Sequence, residues 1–209
     1  MMTTYIETIR LENGHFHLLD LHSQRMAATI GEAFGHAAEV PDLEGALRAV
    51  GSVPSNGTYK CRIVYDSGIR EIEILPYEPR IVKSLRAVAA DPRLDYHLKS
   101  CDRSALTALA AQRGNCDEVI ITRDGLITDT SYTNLLLHGR DGIYTPRRPL
   151  LRGVMRQHLL NEGLIKEADL TLADLAPDNP LGITRVTLIN AMLPPATAPV
   201  IPIDKIQLY

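Results

Sequence analysis

Lysine is scarce in this chain, and one of its five lysines stands where it could do chemistry. Lys99 lies in a predominantly apolar second half, just before a predicted helix, rather than in a charged loop or tail. A lysine removed from water has a lowered pKa, and its neutral amine can attack an aldehyde to form a Schiff base. Lys99 is therefore a candidate nucleophile, although most lysines are simply solvated surface charges.

Two further segments contain groups that could act together with such a lysine. Asp129 and Asn134 stand among polar residues at the entry to an apolar strand, where either could also serve only to satisfy a turn. Gly153 precedes a predicted helix, and a helix start offers backbone N–H groups where a phosphate can bind. The three segments together supply an amine, a carboxylate and an anion-binding turn.

The elements that must position these residues begin with a compact first half. Alternating apolar residues, turn residues and helical spacing predict two hairpins and two helices there. We predict strands at 5–11, 58–65 and 70–75, a short strand after the turn at 12–14, and helices at 18–34 and 43–50.

The second half is predicted to be richer in strands. An apolar, strand-like stretch covers 80–90, helices are expected at 104–112 and just after Gly153, strands at 118–122, 132–137, 142–144 and 183–189, and a proline-rich run at 194–202. We place a boundary near residue 84. The expected fold class is α/β (α+β), with a small N-terminal α+β lobe at 1–84 and a larger lobe at 85–209 built on a mixed or barrel-like sheet.

Composition excludes several other classes of protein. The net charge of -3 supplies no basic field for nucleic acid or an anionic membrane. No basic start followed by an apolar run and no apolar stretch near the ~20 residues of a membrane helix is found, so we expect a cytoplasmic protein. Cys61, Cys101 and Cys116 form no CxxC pair, which argues against a disulfide framework and against a metal site.

Taken in chain order, these segments resemble the fold type IV pyridoxal-phosphate enzymes, the class IV aminotransferase superfamily. The resemblance covers nearly the whole chain, and the order and spacing of its motifs make it specific. The matching segments are Glu7-Thr-Ile-Arg10, Leu21-His22-Ser-Gln-Arg25-Met26, Lys99, Ile127-Thr-Asp129-Thr-Ser-Tyr-Thr-Asn134-Leu135, Tyr144-Thr-Pro146, Leu151-Arg-Gly153-Val-Met-Arg156 and Leu188-Ile-Asn190-Ala-Met-Leu-Pro194.

The resemblance implies pyridoxal 5'-phosphate as cofactor and a role for several of the matching residues. Lys99 would form the Schiff base and shuttle the proton, and Asp129 would pair with the protonated pyridine nitrogen that keeps the ring an electron sink. The residues implied to hold the phosphate are Arg25, the turn at Gly153 with the backbone of Val154 and Met155, and Asn190. Arg10 and Tyr132 are candidates for binding the substrate.

The motifs at Gly153–Arg156 and Asn190–Pro194 look like the 4-amino-4-deoxychorismate lyase branch, which supplies 4-aminobenzoate for folate biosynthesis. The branched-chain aminotransferases carry a threonine where this chain has Met155 and a tyrosine where it has Ser104, and many members have glutamate in place of Asp129. Two alternatives remain: an aminotransferase of branched-chain or D-amino acids, and a non-catalytic cofactor-binding homologue. The expected partners are a small-molecule substrate and a second copy in a homodimer.

Overall fold

The computed structural model of the chain describes residues 3–35 and 38–208. Internal contacts divide the chain into two compact units: one comprises the chain up to Pro79 together with Leu98–Asp102, the other Arg80–His97 and the chain from Arg103 onward. Lys99 thus groups with the first unit, and the lobe boundary near residue 84 stays a prediction. Among the described residues no helix has the length and apolar character needed to span a bilayer.

The first unit is an antiparallel sheet with two helices, as the sequence predicts. The strand order is β2-β1-β3-β4. The elements are β1 (Tyr5–Glu12), β2 (His15–Phe16), α1 (Leu19–Phe34), α2 (Leu43–Ala49), β3 (Thr58–Tyr65) and β4 (Ile69–Pro76).

Strand β1 owes its position to the alternation of its side chains. Tyr5, Ile9 and Leu11 are buried on one face, and Tyr5 and Ile9 pack in a core with Met26 of α1. Glu7 lies on that same buried face, because successive side chains of a strand point to opposite sides. A carboxylate is therefore built into the apolar side of the sheet.

The segment that carries Lys99 is attached to the start of β1 by backbone hydrogen bonds. The Ile6 N–H donates to the Lys99 carbonyl at 3.0 Å, and the Cys101 N–H donates to the Thr4 carbonyl at 2.9 Å. An isolated antiparallel bridge pairs Tyr5 with Ser100. These bonds explain why the segment groups with the first unit although it lies far along the chain.

The second unit contains two sheets, which confirms the expected mixed architecture. One has the order β10-β9-β8-β11-β12 and the other β13-β5-β6-β7. The elements are β5 (Leu85–Ala89), α3 (Ser104–Ala110), β6 (Glu118–Arg123), β7 (Leu126–Ile127), β8 (Asn134–Gly139), β9 (Gly142–Pro146), α4 (Val154–Asn161), β10 (Lys166–Ala168), β11 (Arg185–Ile189), β12 (Val200–Pro202) and β13 (Ile206–Gln207).

The two sheets of this unit share one apolar core. Leu135 and Leu188 from the first sheet and Leu85 and Ile120 from the second belong to the same buried cluster. Parallel pairs (β5 with β6, β5 with β13, β9 with β10) occur beside antiparallel ones. Two sheets packed around a common apolar interior fit the mixed or barrel-like lobe expected from the sequence.

Strand β5 is shorter than the predicted stretch at 80–90. The Asp117 carboxylate accepts hydrogen bonds from the Lys83 N–H at 2.8 Å and the Ser84 N–H at 3.1 Å. A backbone donor used by a side chain is not available for a strand ladder. The strand therefore begins at Leu85.

Strand β11 also begins later than predicted, at Arg185 rather than at residue 183. The Asn179 side chain accepts from the Ile183 N–H at 2.7 Å and donates to the Ile183 carbonyl at 2.9 Å. Because one amide satisfies both backbone groups of Ile183, that residue is held outside the ladder.

Candidate active site

A buried ionic cluster in the first unit surrounds Arg25, the predicted phosphate ligand. The Glu7 carboxylate accepts hydrogen bonds from Arg25 Nε at 2.9 Å, Arg25 Nη2 at 2.5 Å and His22 Nδ1 at 2.5 Å. His22 and Arg25 are three residues apart on α1, so one helix face presents both to β1. Glu7 and His22 are fully buried, whereas 16% of the Arg25 side chain is exposed.

The charges of this cluster are fixed by its contacts. Burial by itself raises the pKa of Glu7, but the Arg25 cation and the hydrogen bonds from His22 and Arg25 outweigh it and lower the pKa to about 2. Burial lowers the pKa of His22, and the positive charges of Arg25 and Lys99 lower it further. The hydrogen bond and the negative charge of Glu7 raise this pKa but do not outweigh the other effects. At neutral pH Glu7 is therefore ionised, His22 is neutral, and His22 Nδ1 must carry the proton that it donates to Glu7.

Lys99, the predicted nucleophile, belongs to the same unit as this cluster. Its side chain is partly buried, and its charge acts on the buried ring of His22. Its backbone is held by β1 through the Ile6 N–H. The predicted nucleophile and the predicted phosphate ligand are thus positioned by elements of one unit.

Arg10, a predicted substrate ligand, lies on the other face of β1. Its guanidinium donates to Glu12 at 2.5 Å, and 15% of its side chain is exposed. Arg10 is opposite Lys60 in the register of β1 and β3. The described contacts therefore separate Arg10 from the Glu7 side of the sheet, and its role toward substrate stays a prediction.

Asp129 lies in the second unit, in a largely buried polar network. One carboxylate oxygen accepts from Asn134 Nδ2 at 2.7 Å, and the other accepts from the Leu151 N–H at 3.0 Å. The Asn134 amide also donates to the Leu151 carbonyl at 2.8 Å. Asn134 therefore joins Asp129 to the turn that leads into α4.

Burial dominates the electrostatics of Asp129. Desolvation raises its pKa to about 6, and the hydrogen bonds from Leu151 and Asn134 offset the increase only in part. Within residues 3–35 and 38–208 every hydrogen bond described to this carboxyl group comes from a neutral donor, and Arg156 contributes only a weaker Coulombic effect. A cation in contact with Asp129 would stabilise its charged form.

Gly153 lies in the turn before α4, where a side chain would displace Asn134. A Cβ on Gly153 would lie 2.1 Å from Asn134 Oδ1, which is closer than real contacts allow. The first bond within α4 runs from the Gln157 N–H to the Gly153 carbonyl. The N–H groups of Val154 and Met155 therefore stand at the open start of the helix, where an anion can bind.

The loop between Asp129 and Asn134 is held from several sides. Asn190 Nδ2 donates to the Tyr132 carbonyl at 3.3 Å, and Asn190 Oδ1 accepts from the Met192 N–H at 2.8 Å. The Arg80 guanidinium lies 5.2 Å from the centre of the Tyr132 ring. These contacts give Asn190 a role in shaping the loop, and the predicted contacts of Asn190 with phosphate and of Tyr132 with substrate stay predictions.

Two polar residues of these clusters, Glu7 and His22, received no role from the sequence, and Asn134 was left between a functional role and a turn. Glu7 stands at a core-facing position of an alternating strand, and His22 lies next to apolar residues on the buried face of α1. The sequence did contain one signal for these residues: each is ionisable and stands at a position where the pattern requires an apolar residue. Nothing in local spacing names the partner, because Glu7 and Arg25 are on different elements.

Comparison with known proteins identifies the family. The chain matches the sequence model of Amino-transferase class IV over residues 4–206. It is 33% identical over 191 residues to an uncharacterised protein of Haemophilus influenzae, covering 91% of this chain and 98% of that protein. The chain therefore belongs to the class IV aminotransferase family and has fold type IV. Members of this family are pyridoxal-phosphate enzymes, and this chain is an enzyme of that kind.

Two solved structures are similar over nearly their whole length. One is a putative 4-amino-4-deoxychorismate lyase of Haemophilus somnus, 29% identical, with a TM-score of 0.82 and coverage of 92% of this chain and 97% of that chain. The other is a putative amino-acid aminotransferase of Mesorhizobium loti, 26% identical, with a TM-score of 0.74 and coverage of 99% and 100%.

The residues present fit pyridoxal phosphate. Asp129 is a carboxyl group buried among neutral donors, which suits a protonated pyridine nitrogen. Gly153 precedes α4 without a side-chain cap, which leaves the N–H groups at the start of the helix for a phosphate. Arg25 supplies a guanidinium whose plane is already fixed by Glu7.

Proposed function

We propose that this chain is a pyridoxal-phosphate lyase that converts 4-amino-4-deoxychorismate into 4-aminobenzoate and pyruvate. The observation that carries the proposal is the structural similarity to the H. somnus protein, a putative 4-amino-4-deoxychorismate lyase, over nearly the whole length of both chains. The proposal includes a homodimer, as the family resemblance implies, and a cytoplasmic enzyme that supplies 4-aminobenzoate for folate biosynthesis.

In this proposal Lys99 is the residue that binds the cofactor covalently and moves the proton. When bound, pyridoxal phosphate supplies an electron sink next to the substrate nitrogen. The Lys99 amine would remove the proton from the substrate carbon that carries the amino group. The bond between the ring and the enolpyruvyl oxygen would then break, and Lys99 would donate the proton to the departing enolpyruvate, which becomes pyruvate. Aromatisation of the ring to 4-aminobenzoate makes the cleavage favourable.

Asp129 would hold the pyridine nitrogen, and Arg25 would hold the phosphate together with the N–H groups of Val154 and Met155. The partners of Asp129 support its role, because Asn134 and the Leu151 N–H fix both carboxylate oxygens in one orientation. A charge held in place before the reaction stabilises developing charge without reorganisation. Asn190, Tyr132 and Arg10 remain in the proposal as further ligand contacts.

One position in the chain argues against a branched-chain aminotransferase. Met155 is buried at the first turn of α4, where those enzymes have a threonine hydroxyl. A thioether is at most a weak hydrogen-bond acceptor and cannot replace a hydroxyl donor. A ligand group that requires this hydroxyl would be bound more weakly here.

An amino-acid aminotransferase is the second candidate function. It is favoured by the similarity to the M. loti protein, which also extends over essentially both chains. This candidate uses the same cofactor and the same residues, and it differs in needing a keto acid to complete each cycle.

Product release without a keto acid separates the two candidates. The full chain with pyridoxal phosphate is mixed with excess 4-amino-4-deoxychorismate, and 4-aminobenzoate and pyruvate are measured over time. We expect many turnovers per active site, because lyase chemistry returns the cofactor to its aldehyde form in each cycle. The Lys99→Ala variant serves as control for reaction without the catalytic amine.

A parallel reaction contains an amino acid and 2-oxoglutarate. A single equivalent or no 4-aminobenzoate in the first reaction, together with ping-pong exchange in the second, would replace the lyase by the aminotransferase. Binding of pyridoxal phosphate without turnover in either would favour the non-catalytic homologue.

A further inference from the structure

Glu7 and His22 form a fully buried polar pair in the apolar core of the first unit. Both side chains have no exposed area, and their neighbours Ile9, Met26 and Ile63 are apolar. Burial of a carboxylate is unfavourable unless charged or polar partners compensate it. A pair of this kind is poorly explained by packing alone, because apolar side chains of similar size would fill the same space at less cost.

Glu7 and His22 are arranged so that the Glu7 carboxylate binds the Arg25 guanidinium. Glu7 accepts from both Nε and Nη2 of Arg25, which is the side-on, two-bond arrangement that fixes the plane of a guanidinium. The Oε2 atom that accepts from Nη2 also accepts from His22 Nδ1. His22 thus holds the carboxylate, and the carboxylate holds the guanidinium.

The second ring nitrogen of His22 indicates that this residue is present for the hydrogen bond that its Nδ1 donates to Glu7. In the described part of the chain, His22 Nε2 is buried without a hydrogen-bond partner. A lone unsatisfied acceptor costs stability, and a leucine at this site would avoid that cost. The Nδ1–H donor is what an apolar residue could not supply.

We propose that Glu7 and His22 are positioning residues that hold the Arg25 guanidinium in the orientation that binds the cofactor's phosphate. The inference rests on the proposed role of Arg25 and adds two residues to it. An arginine side chain has many rotamers, and bidentate recognition of a phosphate needs one orientation of its plane. Fixing that plane before binding removes an entropic cost from the binding step.

The test compares two ligands that differ only in the phosphate. Full-length wild type and Glu7→Gln are freed of cofactor and titrated with pyridoxal 5'-phosphate and with pyridoxal, and each dissociation constant is measured by absorbance. The amide introduced by this substitution offers one acceptor oxygen where the carboxylate offers two, so the side-on pair with Arg25 is lost. We expect Glu7→Gln to weaken binding of pyridoxal phosphate by about 10-fold or more and to leave pyridoxal within about 2-fold.

Different results in this titration have different meanings. An equal loss for both ligands would assign Glu7 a purely structural role, and unchanged or tighter binding of pyridoxal phosphate would show that Glu7 only neutralises Arg25. The Arg25→Ala variant tests the underlying assignment separately. It should lose roughly 10- to 100-fold for pyridoxal phosphate alone; if it does not, Arg25 is not the phosphate ligand and the inference fails with that assignment.

Two substitutions of His22 keep the test valid even if Glu7→Gln folds poorly. His22→Asn places an amide N–H near the position of Nδ1 and should keep the affinity for pyridoxal phosphate within about 3-fold of wild type, whereas His22→Leu restores packing without a donor and should lose more. Similar affinities for the two variants would overturn the role of His22. Glu12→Gln is the matched control, because it removes a carboxylate from the same strand on the Arg10 side.

Discussion

Glu7 in the first unit and Asp129 in the second are both carboxyl groups almost completely removed from water, yet burial has opposite results in the two places. Glu7 contacts a guanidinium, and its pKa falls to about 2. Asp129 contacts an amide and a backbone N–H, and its pKa rises to about 6. The balance between desolvation and the charge of the partners decides the outcome, because burial raises the pKa in both cases.

The comparison supports the proposed role of Asp129, rather than Glu7, in contact with the cofactor. Glu7 already has its cation within the protein, so its charge serves to orient Arg25. Asp129 is held by two neutral donors that fix its direction but only partly stabilise its charge. A protonated ring nitrogen is the kind of group that would complete the second environment and not the first.

The largest effect on activity is expected at Lys99, which is neither of the two carboxyl groups compared above. Lys99→Ala should reduce turnover by roughly 10⁴-fold or more, since it removes the nucleophile and the proton carrier together. Borohydride reduction of the loaded wild type, followed by peptide mapping, should find the cofactor on the Lys99 peptide. A label on Lys60 or Lys83 would contradict the assignment, and Lys83→Ala is the matched control that should keep activity.

A smaller loss of rate is expected at Asp129 with cofactor still bound. Asp129→Asn replaces the charge with a neutral amide, so the protonated ring nitrogen is no longer favoured and the rate should fall on the order of 10²-fold. Rate and cofactor content are measured on the same preparation. An unchanged rate would show that Asp129 serves only to stabilise a turn. The proposed difference in function between Asp129 and Glu7 would then be wrong.

The smallest effect is a pH dependence of stability with opposite signs at the two sites. The pKa of Asp129 is raised from 3.8 to about 6, so its stabilising contribution is present at low pH and is lost as the pH rises through about 6. The pKa of Glu7 is lowered from 4.5 to about 2, so its contribution is present above pH 4.5 and is lost as the pH falls toward about 2.

Urea unfolding of the cofactor-free protein measures this difference. Relative to Asp129→Asn, wild type should lose roughly 1 kcal/mol per pH unit between about pH 4 and pH 6. Relative to Glu7→Gln, it should stay nearly constant between about pH 5 and pH 6 and should lose stability as the pH falls below about 4.5. If the free energy of unfolding depended on pH in the same way in both comparisons, the pKa values of the two carboxyl groups would not be shifted in opposite directions.

The sequence predicted the long elements of the first unit because their signals are local. The strand at Tyr5–Glu12 and the hairpin around Asp66 follow from alternation and turn residues. Strands of two or three residues, such as β7 and β13, contain too few positions for a period to be recognised. The identity of the family followed from motifs, whereas the pairing of Glu7 with His22 and Arg25 depends on how α1 packs on β1.

Strand β8 illustrates how side chains shift an element without changing its type. The predicted strand at 132–137 begins at Asn134, because the Thr130 hydroxyl accepts from the N–H groups of Tyr132 and Thr133 and closes a turn. The sequence placed Asp129 and Asn134 at the entry to this strand. It could not show that Asn134 contacts both Asp129 and the Leu151 carbonyl of the turn before α4, which is a tertiary arrangement.

The attachment of Lys99 to the beginning of β1 also has a consequence for biosynthesis. The first unit includes Leu98–Asp102, so its contacts cannot be completed by the first 79 residues alone. The Ile6 N–H can donate to the Lys99 carbonyl only after the ribosome has extended the chain past Asp102. Residues 80–97, which belong to the second unit, are synthesised before that point. Domains generally fold as units during synthesis. The first unit of the nascent chain is therefore incomplete until Lys99 has been synthesised, and a chain released earlier would lack both this lysine and the last contacts of the unit.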